Sequence, residues 1–209
     1  MPAQDDLRIE TLAPSRRDDY LRFFDHERGS AFADNPAWAS CYCHFHHVSP
    51  LIDWPGLDGR ANRLAMDARI ACGEMQGYLA YRGDQVVGWL NAQPRNRLRH
   101  CDARIGIAPV AVPVPAHEAA ALVCFVVAPG ARRTGVARAL LTGALSDLAA
   151  RGVRVADAYP RAEETTDRFD QDHYRGPRSL FVEAGFEAHE RVQGVLVMRK
   201  WLHAQDAKP

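Results

Sequence analysis

The stretch Val127-Ala128-Pro129-Gly130-Ala131-Arg132-Arg133-Thr134-Gly135-Val136-Ala137, VAPGARRTGVA, decides how this chain folds. Before it runs HEAAALVCFVVAP, apolar almost throughout and therefore read as a strand buried on both faces. Pro129 cannot donate to a ladder, so the strand stops there. After it, Val136, Leu140, Leu141, Ala144, Leu145 and Leu148 recur at helical spacing until Gly152. A helix must then begin within a few residues of Pro129. Its first turn carries unpartnered N–H groups and the positive end of the helix dipole. Gly135 lets an anion approach the backbone, and Arg132 and Arg133 are permanent cations. The residues describe a seat for a phosphate or pyrophosphate. Read alone, they equally describe a plain strand-to-helix turn with solvated arginines.

Further from the turn, LRIETLAP reads as a first strand, and a helix starting near Ser15 carries Tyr20, Leu21, Phe24 and Arg28 before Gly29. A second helix places Leu57, Ala61, Leu64, Ala68 and Ala71 on one face. GYLAY and VVGWLNA form a hairpin around Gly83 and Asp84, closed by Pro94. A short strand is placed at Arg104 to Ile107. VRVADAY is a strand, SLFVEA a short helix ended by Gly185, and GVLVMRKW the last strand. The order is strand, two helices, three strands, helix, strand, helix and closing strands, which is α/β with a mixed sheet. The chain of 209 residues fits a single domain, 1–209, with its core at about 7–201.

Bulk properties narrow the function. Net charge is zero, so no global field favours nucleic acid or an anionic membrane. The longest apolar run, Ala119 to Ala128, is half of the ~20 residues that span a bilayer. Five cysteines at irregular spacing, and an N-terminus without a signal-peptide pattern, suggest a reduced, cytoplasmic protein. No Walker loop or three-glycine dinucleotide pattern follows the strand, and no G-x-S-x-G elbow is present.

V-x-P-x-x-R-R-T-G-V-A resembles the acyl-CoA-binding motif of the GCN5-related N-acetyltransferases (GNAT), Arg/Gln-x-x-Gly-x-Gly/Ala after a strand. LFVEAGFE is similar to the family's late helix ending in Gly-Phe, and VLVMRK to its last strand. The resemblance implies a mixed, mostly antiparallel sheet flanked by helices and splayed between the fourth and fifth strands. It implies acetyl-CoA as acyl donor, and no metal. Amides of Arg133, Thr134, Gly135, Val136 and Ala137 would cradle the pyrophosphate, with Arg132 beside it. Phe125, Val126 and Val127 would pair with the pantetheine arm, and an N–H near Val126 or Val127 would stabilise the oxyanion.

Two family positions differ here. A glutamate common in the strand before the motif is Ala121, and the tyrosine that protonates the leaving thiol is Phe181. Glu118 is the nearest acid, and Tyr174 and Tyr159 are the candidate replacements. Expected catalytic residues are therefore Glu118, Tyr174 and His46.

CYCHFHH, Cys41 to His47, gathers two cysteines and three histidines. Tetrahedral zinc takes paired ligands from two separated segments, and this spacing provides one crowded segment only. The resemblance places it between the first two helices, beside the acceptor cleft, in a branch with Cys-aromatic-Cys at this point. Tyr42, Phe45 and Trp54 would wall that cleft, with Cys43 beside them and His44 or His46 as polar or proton-accepting group. Packing of the same residues beneath the helices is the plainer alternative.

The implied activity is acetyl transfer from acetyl-CoA to a primary amine of a small molecule or peptide, by direct attack. A non-catalytic acyl-CoA-binding sensor is the rival, favoured by Ala121 and Phe181. A homodimer would match the usual assembly of relatives.

Overall fold

Ala119–Val127 (β4) is apolar on both faces and is buried along nearly its whole length, so it must be covered from both sides. The computed structural model of the protein describes residues 7–25, 30–160 and 174–202. Around β4 lies a seven-stranded sheet in the order β1-β2-β3-β4-β5-β7-β6. Its other strands are Leu7–Thr11 (β1), Tyr78–Arg82 (β2), Gln85–Pro94 (β3), Val155–Ala158 (β5), Glu187–Val192 (β6) and Val195–Trp201 (β7). Only β4 and β5 run parallel; every other neighbouring pair is antiparallel.

Helices cover both faces. Val136–Ala150 (α4) lies on one, burying the predicted stripe of Val136, Leu140, Leu141, Ala144, Leu145 and Leu148. The packing is close: a Cβ on Gly88 would fall 2.7 Å from Val136 Cγ1. Arg178–Glu183 (α5) shares this face, with Phe181 6.0 Å from Phe125. Arg17–Phe24 (α1) and Gly59–Ala71 (α2) lie on the other, where Tyr20 meets Trp89 edge-on at 4.9 Å.

Three expectations are corrected. Arg104 to Ile107 is not a strand: Cys101–Ile105 (α3) is a short helix, ended by Gly106 in the left-handed conformation with φ 84°. The buried face of α2 is Asn62, Met66 and Ile70, while Leu64 is exposed. Met66 and Ile70 bury more surface than the alanines of the predicted face. Asn62 can be buried because its amide donates to Ser40 C=O and its oxygen meets His44 Nδ1, both at 2.9 Å. Finally, α1 ends at Phe24; Arg28 and Gly29 lie outside the described residues.

The expected splay is present. β4 pairs with β5 only from Ala119 to Leu122. Register with β3 slips by one residue at Val123, a bulge that bends the strand. Beyond it β4 diverges, and Phe125 N–H donates instead to Tyr174 C=O at 2.5 Å.

Candidate active site

The anion end is built by backbone conformation. After a single turn at Pro129–Ala131, Arg133 adopts φ 62° and Gly135 φ 86°, which swings the chain into α4. Gly135 is the N-cap and has no side chain with which to cap the helix, and among the described residues no side-chain cap bond is made there. A Cβ on Gly135 would meet nothing within 4 Å, so its space is open. Arg133, Gly135, Val136 and Ala137 line a cavity of about 1410 Å³. Thr134 turns its hydroxyl to Ala131 C=O at 2.8 Å, and does not line the cavity. Arg132 lines it, but its guanidinium grips Asp34 at 2.6 and 3.1 Å and Val127 C=O at 3.2 Å. It straps the motif to the segment after α1.

The cavity continues along the diverging half of β4, past Val127, Val126, Phe125 and Cys124. Strand alternation sorts their amides. Ala128 N–H bonds to Val87 C=O, so Val126 also turns its backbone to β3. The N–H groups of Phe125 and Val127 face the splay. Val126 thus lines the cavity with its side chain, and its backbone is not available for the strand-like pairing expected of it.

On the opposite wall, the Cys41–His47 run presents some of the residues expected and turns two of them away. Tyr42 is buried at 3%, its hydroxyl directed to Asp25 and its C=O accepting from Tyr20 at 2.6 Å. His44 turns to Asn62. Neither lines the cavity, whereas Cys43, Phe45, His46 and Trp54 do. The sorting follows from backbone strain. Tyr42 and Cys43 both have positive φ, 47° and 54°, at roughly 1–2 kcal/mol each, which reverses the side-chain directions an extended run would give.

Cys43 sits on a buried amide chain. Asn91 donates to its sulfur at 3.3 Å, Gln93 donates to Asn91 Oδ1 at 2.8 Å, and Gln76 N–H donates to Gln93 Oε1 at 3.2 Å. That chain fixes which end of the Asn91 amide faces the sulfur. Burial pushes the Cys43 thiol up, but hydrogen bonds from Cys124 and Asn91 outweigh it and leave it below the usual thiol value. The same contact with Cys43, added to burial, drives Cys124 well above. Burial drives Cys41 up to about 12. All five cysteines are free thiols.

His46 is 2% exposed, with its Nδ1 buried and unpartnered among the described residues. Burial, reinforced by Arg175 and Arg104, pushes its pKa down to about 3. It is a neutral ring at pH 7. Burial lowers His44 and His47 too. Tyr174 lines the same wall, its ring 6.2 Å from His46.

Glu118 lies elsewhere. It precedes β4, pairs with Arg154 at 3.0 Å, and is seven residues, roughly 23 Å of strand, from Phe125. It does not line the cavity. Tyr159 is fully buried, with its hydroxyl held by Arg95 and Asp102. Ala121 and Phe181 are wholly buried. Sequence reasoning missed Trp38, Asn35 and Cys124 as lining residues, and Asp34 as the partner of Arg132. Cys124 could have been found, since period two puts it on the same face as Val126. Among the described residues no group of three or more His, Cys, Asp or Glu could hold a metal, and no helix is long and apolar enough to cross a membrane.

A mixed sheet splayed beside its fourth strand, with an uncapped helix N-terminus opening on the splay, defines a protein suited to an extended ligand with an anionic end. The chain belongs to the acetyltransferase (GNAT) family, whose model matches residues 48–164. Solved structures agree in fold. A ribosomal-protein-alanine N-acetyltransferase from Brucella melitensis is 19% identical, with TM-score 0.51, 93% of this chain and 99% of that chain covered. A GCN5-related N-acetyltransferase from Kribbella flavida is 17% identical, with TM-score 0.51 and coverage of 96% and 100%. The yncA structure from Salmonella typhimurium, solved with its cofactor acetyl-CoA, is 11% identical, with TM-score 0.52 and 95% of both chains covered. No curated protein gives a significant match.

Proposed function

We propose that the protein, acting as one catalytic domain over about residues 7–201, transfers an acetyl group from acetyl-CoA to a primary amine of a small molecule or peptide by direct attack. The observation that carries this reading is the uncapped start of α4 at Gly135, open to a cavity that follows the unpaired half of β4. Family membership and the yncA structure with acetyl-CoA support the same donor. The residues present fit it. Amides from Gly135 onward hold an anion at the positive helix end, with Arg133 adding charge. Acetyl-CoA, when bound, supplies the activated acyl group. Val127 N–H, facing the splay, is the donor for negative charge developing on the carbonyl oxygen.

Proton handling falls to the wall opposite β4. His46 is neutral and too weakly basic to hold the proton of an alkylamine, so that proton leaves through water. Tyr174, which lines the cavity beside His46, is assigned as the phenol that protonates the departing thiolate. A second reading, a non-catalytic acyl-CoA sensor, draws on the burial of Ala121 and Phe181 and on the distance of Glu118. The test is free-thiol release from acetyl-CoA over a panel of amines, paired with calorimetric CoA binding. Turnover supports transfer; binding with no turnover for any amine supports the sensor; no binding removes both.

A further inference from the structure

Five rings along the acceptor wall touch in sequence. Trp38 stands 5.5 Å from Tyr174 at 59°, Tyr174 6.2 Å from His46 at 39°, His46 5.2 Å from Phe45 at 78°, and Phe45 5.1 Å from Trp54 at 77°. Such spacings and tilts are those of attractive aromatic pairs. All five residues line the cavity, and the arc reaches β4 where Tyr174 C=O takes Phe125 N–H. We infer that the acceptor is a monoamine carrying an aromatic body, seated edge-to-face against the arc Trp38–Tyr174–His46–Phe45–Trp54. This rests on the acetyl-transfer reading for the fate of the amine, and on the arc alone for its shape.

Two features select a ring over a flexible cation. First, the arc is built before any ligand arrives. Arg104 clamps the loop that carries Phe45 and Trp54, donating to Val48 C=O at 3.0 Å, Ser49 C=O at 2.6 Å and Ile52 C=O at 3.2 Å. A rigid wall of ring faces and edges favours a flat partner, because neither side loses much conformational freedom. Second, the charges behind the arc are positive. Arg104 lies over Phe45 at 5.2 Å and Arg175 over Tyr174 at 5.8 Å. Those guanidiniums already draw on the rings' electron-rich faces, and they repel a further cation. His46, held neutral, brings no compensating charge. A polyamine would set several ammonium groups against this wall. An aromatic monoamine sets one, and that one must be neutral to react.

The protein carries its own reporters in Trp38 and Trp54. Tryptophan emission is titrated with 2-phenylethylamine, butylamine and spermidine, in the parent, Trp54→Ala and Phe45→Leu. Saturable change is expected with 2-phenylethylamine at an affinity about tenfold above that for butylamine, with spermidine weakest. Each variant should lose that preference. Trp54 is partly exposed, and the ligand series on the parent decides the matter even where a variant fails to fold. Equal affinities for the three amines, or a preference that survives both variants, overturns the inference. Thiol release from acetyl-CoA separates the two readings. Binding of 2-phenylethylamine with no release of thiol for any amine sinks transfer and leaves the arc standing. Faster acetylation of spermidine or butylamine sinks the arc and leaves transfer standing.

Discussion

Gly135 allows backbone strain and ligand contact to be separated. Its φ of 86° is left-handed, and a Cβ there would find no atom within 4 Å. Gly135→Ala therefore meets no clash, and its cost to folding is that of a left-handed alanine, about 1–2 kcal/mol. In a chain of this length the loss corresponds to a fall in Tm of roughly 2–8 °C. Gly152, just beyond the other end of α4, has φ 84°, the same open space, and no place in the cavity lining. Gly152→Ala thus carries the same strain without the ligand. If amides near Gly135 grip a diphosphate, a methyl in that open space holds the anion off at least one charge-assisted hydrogen bond, worth about 1.5–3 kcal/mol. Calorimetry should then show CoA bound roughly 10- to 100-fold more weakly by Gly135→Ala. Gly152→Ala should bind like the parent while melting as early as Gly135→Ala. Equal CoA affinity in the two variants would refute the assignment of this turn as the anion seat.

Stability should fall in mild acid. Unfolded histidine titrates near ~6.5, whereas His46 is pushed to about 3 and His44 and His47 are lowered. Between those values the unfolded chain binds protons that the folded chain refuses. The stability is therefore complete above pH ~6.5 and is lost as pH falls, by up to ~1.4 kcal/mol per pH unit for each histidine kept neutral. Urea unfolding at pH 7.5 and 5.0 measures this; His46→Gln should flatten the dependence, and an unchanged slope contradicts it. Gly88→Ala should push α4 off the sheet, because its Cβ would stand 2.7 Å from Val136 Cγ1 and 3.2 Å from Leu140 Cδ1. A loss of about 1–3 kcal/mol is expected in urea unfolding, with weaker CoA binding because Val136 opens the helix. Parent-like stability would show that the contact relaxes freely.

The β4–turn–α4 unit is written locally along the chain. Its instructions are contiguous: a doubly buried apolar strand, a proline that stops it, a glycine suited to positive φ, and a stripe at helical spacing. Local stereochemistry enforces each, so the turn and the motif that opens the family resemblance were readable locally, with LFVEAGFE and VLVMRK adding to the resemblance. The α2 face was misread because alanine is compatible with either side of a helix, and only contact with Ser40 and His44 makes burial of Asn62 tolerable. β6 is a charged, exposed edge strand, so no apolar alternation announces it. The Cys41–His47 wall was decided entirely by tertiary structure. Its backbone has neither the strand nor the helix period, so spacing carries no information about facing. Distant groups set each direction: Tyr20 and Asp25 draw Tyr42 inward, Asn62 takes His44, and Asn91 holds Cys43 at the cavity. Glu118 shows the converse, since nearness along the chain to the motif does not bring a side chain to the far end of an extended strand.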